Sequence, residues 1–306
     1  MKLRKYAAAI SDFSKAIKLD RNNWRAYRLK ADAEQELNDY NSAIEDYTNA
    51  LHLNPSDTLS YRGRGDAKRY LNEGKEAIAD YDIALSWNPT DDELRLSRAR
   101  CLYELKQYPK AINDLTIFLS RQREHNDQLH ALALRIRWNA YYYDSQFQNA
   151  ISDFKTARAE GIAKKEDFMV IGIAYYNLRF DSPTYLDSAI AYYKVAEPVI
   201  NDAFSRYYYL GHAYADKNYF KLSERYLEKA LVAKPESPDA FYVLSTVMLR
   251  QRKFKEGYEM FQKSLSLGKK MSDGSNYLFS GIARWGAKQD TIGAIGDFEM
   301  ASKLGG

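Results

Sequence analysis

Residues 24–57, WRAYRLKADAEQELNDYNSAIEDYTNALHLNPSD, hold two helical patterns separated by a polar turn and closed by Asn54-Pro55. The next 34 residues, 58–91, repeat the arrangement and end in Asn88-Pro89. Overlaid, the segments agree at few positions: Tyr27 on Tyr61, Ala31 on Gly65, Leu37 on Leu71, Ala43 on Ala77, Tyr47 on Tyr81, Ala50 on Ala84 and Pro55 on Pro89. In the second helix of each segment a small residue is followed four positions on by a ring and three further by another small residue. That spacing keeps all three on one helical face. Small residues let a neighbouring helix come close, and the ring fills the groove beside them.

The same comb runs through the chain as Ala9/Phe13/Ala16, Ala43/Tyr47/Ala50, Ala77/Tyr81/Ala84, Ala111/Leu115/Phe118, Ala150/Phe154/Ala157, Ala189/Tyr193/Ala196, Ser223/Leu227/Ala230, Gly257/Phe261/Ser264 and Ala294/Phe298/Ala301. Steps between first members are 34, 34, 34, 39, 39, 34, 34 and 37 residues. A fixed period of this length defines a repeat architecture. A 34-residue period with small, aromatic, Ala and Pro landmarks resembles the tetratricopeptide repeat family. The resemblance implies an all-α fold, a right-handed α-solenoid of stacked antiparallel helix pairs, with about eight complete repeats after an amino-terminal half repeat. The units fall at 1–23 (the half repeat), 24–57, 58–91, 92–125, 131–164, 165–203 with an insertion, 204–237, 238–271 and 274–306.

Departures from the pattern carry their own expectations. Trp138 stands where the family has Gly or Ala, so its ring is expected to push two helices apart or turn outward. In the sixth unit, Pro183 within RFDSPTYLD predicts a long turn, with the second helix starting near Ser188 and ended early by Pro198. The chain opens on a second-helix pattern, residues 6–19, with no first helix before it. Either the sequence is cut from a longer protein, which is the simpler reading, or a partner or second copy associates with the uncapped half repeat.

Composition excludes several functions. Lys and Arg (45) nearly cancel Asp and Glu (41), whereas a dedicated nucleic-acid binder concentrates basic charge. No run approaches the ~18 apolar residues needed to span a bilayer. The lone Cys101 precludes an intramolecular disulfide and points to a reducing, cytoplasmic compartment; a periplasmic or secreted chain that had lost its leader would read the same way. Cys101 itself reads as a buried small apolar residue.

No reaction centre is visible. His52, His125, His130 and His212 are scattered without metal-ligand spacing, so neither a metal nor any other cofactor is expected. Gly63-Arg64-Gly65 lies inside a helix, with Gly65 at the small packing position. Asp12, Asp46, Asp80 and Asp153 recur at one register position, which reads as scaffold surface. No enzyme is expected.

In the resembled family the first helices line a concave surface. Carried over by register, the second, fifth, ninth and twelfth positions place Arg25, Arg28, Asp32, Arg62, Asp66 and Arg100 on it in the amino half. Arg135, Asn139, Tyr142 and Tyr176 follow in the middle, then Tyr208, His212, Tyr242, Leu278 and Ile282. Guanidinium forks suit carboxylate or phosphate, and tyrosines offer rigid amphipathic area. That succession suits a peptide or protein segment with an acidic part and an apolar part. The simpler alternative pairs Arg28 with Asp32 and Arg62 with Asp66. Chaperone-binding relatives carry a two-carboxylate clamp; Arg135 and Asn139 resemble its first half, but the next unit offers Val170 and Ile173, so no chaperone tail is expected. The function expected is a non-catalytic protein-interaction scaffold. The alternatives are single-stranded RNA binding, which the mixed charge disfavours, and an accessory interaction region of a larger multidomain protein.

Overall fold

The computed structural model describes residues 2–121, 128–270, 274–287 and 290–304; His125 and the end of the fourth unit lie outside the described residues. Among the described residues there are seventeen α-helices, one 3-10 turn and no strand. They form two compact units, 1–163 and 164–306. The first unit holds α1 (Lys2–Leu19), α2 (Trp24–Glu36), α3 (Tyr40–Leu53), α4 (Thr58–Tyr70), α5 (Gly74–Trp87), α6 (Asp92–Glu104), α7 (Tyr108–Arg121), α8 (Gln128–Tyr143) and α9 (Phe147–Ala159). The second holds α10 (Asp167–Asn177), α11 (Pro183–Ala196), α12 (Ala203–Asp216), α13 (Phe220–Ala233), α14 (Pro238–Arg250), α15 (Phe254–Ser266), α16 (Gly274–Gly286) and α17 (Thr291–Lys303). Within each unit every helix packs on the next, and first helices also touch, α2 on α4 on α6 on α8 and α12 on α14 on α16. This nearest-neighbour stacking is an α-solenoid.

The turn inside six of the pairs is made the same way. Asn38, Asn72, Lys106, Ser145, Asn218 and Arg252 share a register position and a left-handed φ of 59–63°. The next residue's N–H then reaches back to a carbonyl of the first helix, as in Asp39 to Glu34 at 3.0 Å and Gln107 to Leu102 at 2.8 Å. The sixth unit is the exception and corrects the sequence reading. Ser182 caps α11 by accepting from the Thr184 N–H, and Pro183 takes the first helical position. The expected longer turn is present, 178–182 against 37–39 in the second unit, but the helix starts at Pro183 rather than near Ser188, because proline at a helix start loses no hydrogen bond. Pro198 does end the helix, in a 3-10 turn over Glu197–Val199.

Comb rings are the core. Tyr47, Tyr81, Phe154 and Tyr193 are each at most 2% exposed. The slots they occupy are built by missing side chains: a Cβ on Gly65 would sit 2.6 Å from the Tyr81 ring, and one on Gly172 equally close to Tyr193. Gly63, one repeat on, likewise leaves room for Tyr47. Trp138 overturns expectation here, for it is fully buried and meets Phe154 edge-on, ring centroids 5.7 Å apart at 79°. An edge-on contact between two rings replaces the small-residue slot.

The recurring aspartates are not surface either. Asp46, Asp80, Asp114 and Asp153 are buried. Each receives a cation from its own first helix: Lys30 on Asp46, Arg64 on Asp80 (3.0 and 2.7 Å), Arg98 on Asp114 (2.8 and 2.7 Å) and Arg137 on Asp153 (2.7 and 2.7 Å). The guanidinium's remaining nitrogen crosses to the preceding pair, Arg64 to Thr48 (3.1 Å), Arg98 to Asp82 (2.7 Å) and Arg137 to Thr116 (3.3 Å). One planar fork thus ties three helices across two repeats. Asp12 has no first helix beside it; it stays exposed and pairs only with Lys15. In the second unit the corresponding first-helix positions are the buried Ile171, Leu210 and Leu244. The second-helix positions become Tyr192 and Tyr226, stacked on Tyr175 and Tyr214, and return in the last pair to Asp297, which accepts from Ser280 (2.6 Å) and pairs with Arg284 (3.0 Å). Cys101 is buried as expected, and burial pushes its thiol up to about 11.

Two predictions test these buried charges. Asp114→Asn removes the buried carboxylate shared by Arg95 and Arg98, and urea denaturation is expected to show a loss of about 3–5 kcal/mol. Asp82→Asn, which removes the exposed partner of Arg98, should cost less than about 1 kcal/mol. Glu34, 5% exposed beside Lys30, has its carboxyl pushed by burial up to about 7 from an ordinary 4.5. A folded value above the unfolded one means stability present below pH 4.5 and lost as pH rises through 7. Glu34→Gln should therefore flatten the fall in melting temperature between about pH 4.5 and pH 7.

Candidate interaction groove

In the first unit the register positions are only partly free. Arg25 is exposed, its guanidinium 4.6 Å from the Trp24 ring. Arg28 lies 3.6 Å from Asp32 and 3.5 Å from Asp57, the residue that opens the next pair. Arg62 makes the equivalent reach, 3.8 Å to Asp91 and 2.5 Å to Glu93. The simple pairing therefore holds for Arg28–Asp32 but not for Arg62, which ties neighbouring repeats instead. Asp32 and Asp66 accept hydrogen bonds from the core hydroxyls of Tyr47 (2.7 Å) and Tyr81 (2.8 Å). Burial pushes the Asp66 carboxyl above the usual range, against the Tyr81 hydrogen bond and the charges of Arg69, Arg62 and Arg100.

Arg100 differs from these. It forms no ion pair or hydrogen bond among the described residues. With Arg62 it lines a cleft of about 220 Å³, whose other walls are Glu93, Leu96, Ser97, Leu129 and Leu132. Sequence register contained Leu96 and Leu132, though their role as an apolar wall was missed; Leu129 precedes its unit and left no signal. Arg69, at a twelfth position, was also overlooked. Its Nε is buried without a hydrogen-bond partner, and its guanidinium lies 4.4 Å from the Tyr70 ring.

Arg135 and Asn139 are engaged within the chain, Arg135 Nη2 donating to the Ile162 carbonyl (3.5 Å) and Asn139 Nδ2 to the Arg135 carbonyl (2.9 Å). Tyr142 sits edge-on between Tyr143 (5.2 Å) and Phe147 (5.9 Å).

In the second unit the structure gathers Tyr176, Tyr208 and His212. The His212 ring lies 5.1 Å from Tyr176 and 5.8 Å from Tyr208. Tyr176 donates to Asp216 (2.5 Å), which Arg179 also holds (2.8 Å). Tyr242 contacts Phe261 (6.3 Å) and has the Lys269 ammonium 5.0 Å from its ring. Burial pushes the His212 imidazole below its ordinary value; Asp216 and Asp239 oppose the shift and Arg179 and Lys269 add to it. Leu278 is exposed and Ile282 half-buried. Arg179 and Asp216 lie outside the register positions used, so sequence did not reveal their network.

A profile described as tetratricopeptide repeat matches residues 1–58, 29–82 and 62–116, and a second of the same description matches 204–237. No curated protein matches the sequence. Among solved structures, the chain is similar to the carboxy-terminal part of a TPR repeat-containing protein from Cytophaga hutchinsonii. Identity is 19% over 78% of this chain and 95% of that one, with a TM-score of 0.57. It is also similar to a tetratricopeptide repeat protein from Parabacteroides merdae, at 18% identity over 85% and 98% of the two chains and a TM-score of 0.49. Among the described residues no helix is long and apolar enough to cross a membrane.

The core-to-face hydrogen bonds can be tested directly. Tyr81→Phe keeps the ring and leaves Asp66 without its donor, so equilibrium unfolding should show a loss of about 1–3 kcal/mol.

Proposed function

The chain belongs to the tetratricopeptide repeat family, whose members generally serve as non-enzymatic scaffolds for protein–protein interaction, and from that premise we propose that it binds a peptide or protein segment along its first-helix groove without catalysis. One observation carries this reading: Arg100 stands in the first unit's cleft with no salt bridge or hydrogen bond among the described residues, beside Leu96, Leu129 and Leu132. Most other arginines on that face are engaged within the chain. A guanidinium beside aliphatic side chains suits a carboxylate followed by an apolar residue. The repeat stack holds this face ready, so the entropy of ordering falls on the partner. In the first unit Arg25, Arg28, Arg62, Arg135, Asn139 and Tyr142 complete the proposed face, with Arg28 and Arg62 mainly fixing its geometry; in the second unit Tyr176, Tyr208, His212 and Tyr242 make up a proposed face of its own.

A display library of random 12-residue peptides, panned on the wild-type protein at pH 7.5, is expected to return clones with an acidic residue next to an aliphatic one. Arg100→Glu should weaken those clones by at least about tenfold with circular dichroism unchanged. Unchanged affinity, or recovery of no clones, would remove the groove from consideration.

A further inference from the structure

The second unit has its own unspent polar groups. Tyr208 and His212 lie one helical turn apart on α12, on the same face. Tyr208 is fixed by Phe204, with near-parallel rings 5.1 Å apart at 16°, and Tyr176 flanks His212 from α10. The ionic groups nearby satisfy one another. Arg179 holds Asp216 at 2.8 Å, Tyr176 donates to the same carboxylate, and Lys269 holds Asp239 at 2.6 Å. Two cations face two anions, so the surroundings of His212 carry no excess charge. Neither the His212 nitrogens nor the Tyr208 hydroxyl has a hydrogen-bond partner among the described residues.

A neutral imidazole presents one donor and one acceptor, and a phenol presents both from a single oxygen. The complement of that set is a group which also donates and accepts without charge and can reach the polar edges of two touching rings. A terminal amide fits. A carboxylate would leave the imidazole acceptor unmatched, and an ammonium would add a cation beside Arg179 and Lys269.

We infer that Tyr208 and His212 form a neutral subsite that reads the side-chain amide of an Asn or Gln in the bound segment, and that acidification closes it. The inference rests on the groove reading above. The groups facing His212 are Tyr176 from α10, Arg179 from the turn that follows it, Tyr208 and Asp216 from α12, Asp239 from α14, and Lys269 beyond α15. Burial, with Arg179 and Lys269, keeps the imidazole neutral at pH 7 against Asp216 and Asp239. Protonation turns the acceptor nitrogen into a second donor, which then confronts the amide's own N–H.

The same peptide library tests this, with clones measured against wild type, His212→Phe and Tyr208→Phe at pH 7.5 and pH 5.0. Some clones should carry Asn or Gln at one fixed position and weaken about tenfold when that residue becomes Ala, or when His212 becomes Phe. Their affinity for wild type should fall as pH is lowered from 7.5 to 5.0, while any residual binding to His212→Phe stays flat. The inference is overturned if no clone depends on His212, if the pH response survives in His212→Phe, or if Asp and Glu replace the amide without loss. Each of those results leaves the groove reading standing. Recovery of no peptide at all removes both.

Discussion

Tyr47, Tyr81 and Tyr193 of the comb each need a place where a neighbouring helix has no side chain. Tyr81 packs where Gly65 omits its Cβ, and Tyr193 does the same at Gly172. The ring thereby fixes how close its own first helix can come, and Gly63 against Tyr47 extends the constraint to the next repeat. Since each hairpin buries its face only against its neighbours, this local fit sets the geometry that stacking then propagates. Trp138 shows the constraint concerns volume and shape rather than residue identity. A large ring is accepted in the slot because its partner Phe154 turns edge-on.

Charge reinforces the interlock differently in the two units. In the first, guanidiniums clamp buried aspartates and reach back to the preceding repeat, so separating two repeats would expose or strand a charge. In the second, aliphatic side chains and stacked tyrosines take the same positions in the first two pairs, while the last pair keeps a clamped aspartate, Asp297. Dispersion and area then replace directed hydrogen bonds, and the polar groups that remain gather on the first-helix face around His212. The chemistry of each exposed face follows from how its core is held.

Much of the fold was legible because its information is local and periodic. Spacings of four and three within one helix predict a buried stripe without knowledge of anything distant, and Tyr47, Tyr81, Phe154 and Tyr193 lie there. Asp80 was misread because burial depends on a side chain sixteen residues away on another helix. Yet Arg64, Arg98 and Arg137 recur at that same spacing, and reading the two recurrences together would have found the pairs. Pro183 was taken for a loop marker although Ser182-Pro183 is also a helix start. On the face, register named the positions but not their engagements: Arg62 and Arg100 look alike in sequence, and only coordinates show that one is tied to Asp91 and Glu93.

Recurrence within the chain separates holding the fold from meeting a partner. The Asp46, Asp80, Asp114 and Asp153 position keeps its residue through four repeats, and those carboxylates are buried in ion pairs. The ninth first-helix position does the opposite, reading Asp32, Asp66, Arg100, Asn139, Ile173, His212, Thr246 and Ile282. A stack assembled from equivalent hairpins places the same structural demand on that position each time, so structure alone would favour repeating one residue there. Where it does repeat, at Asp32 and Asp66, a core tyrosine hydroxyl holds the carboxylate from behind. Once the sequence departs from that pair, Arg100 and His212 are left with no hydrogen-bond partner among the described residues. Variation among equivalent sites and unspent hydrogen-bonding capacity thus coincide at these two residues, one cationic and one neutral, each in its own unit.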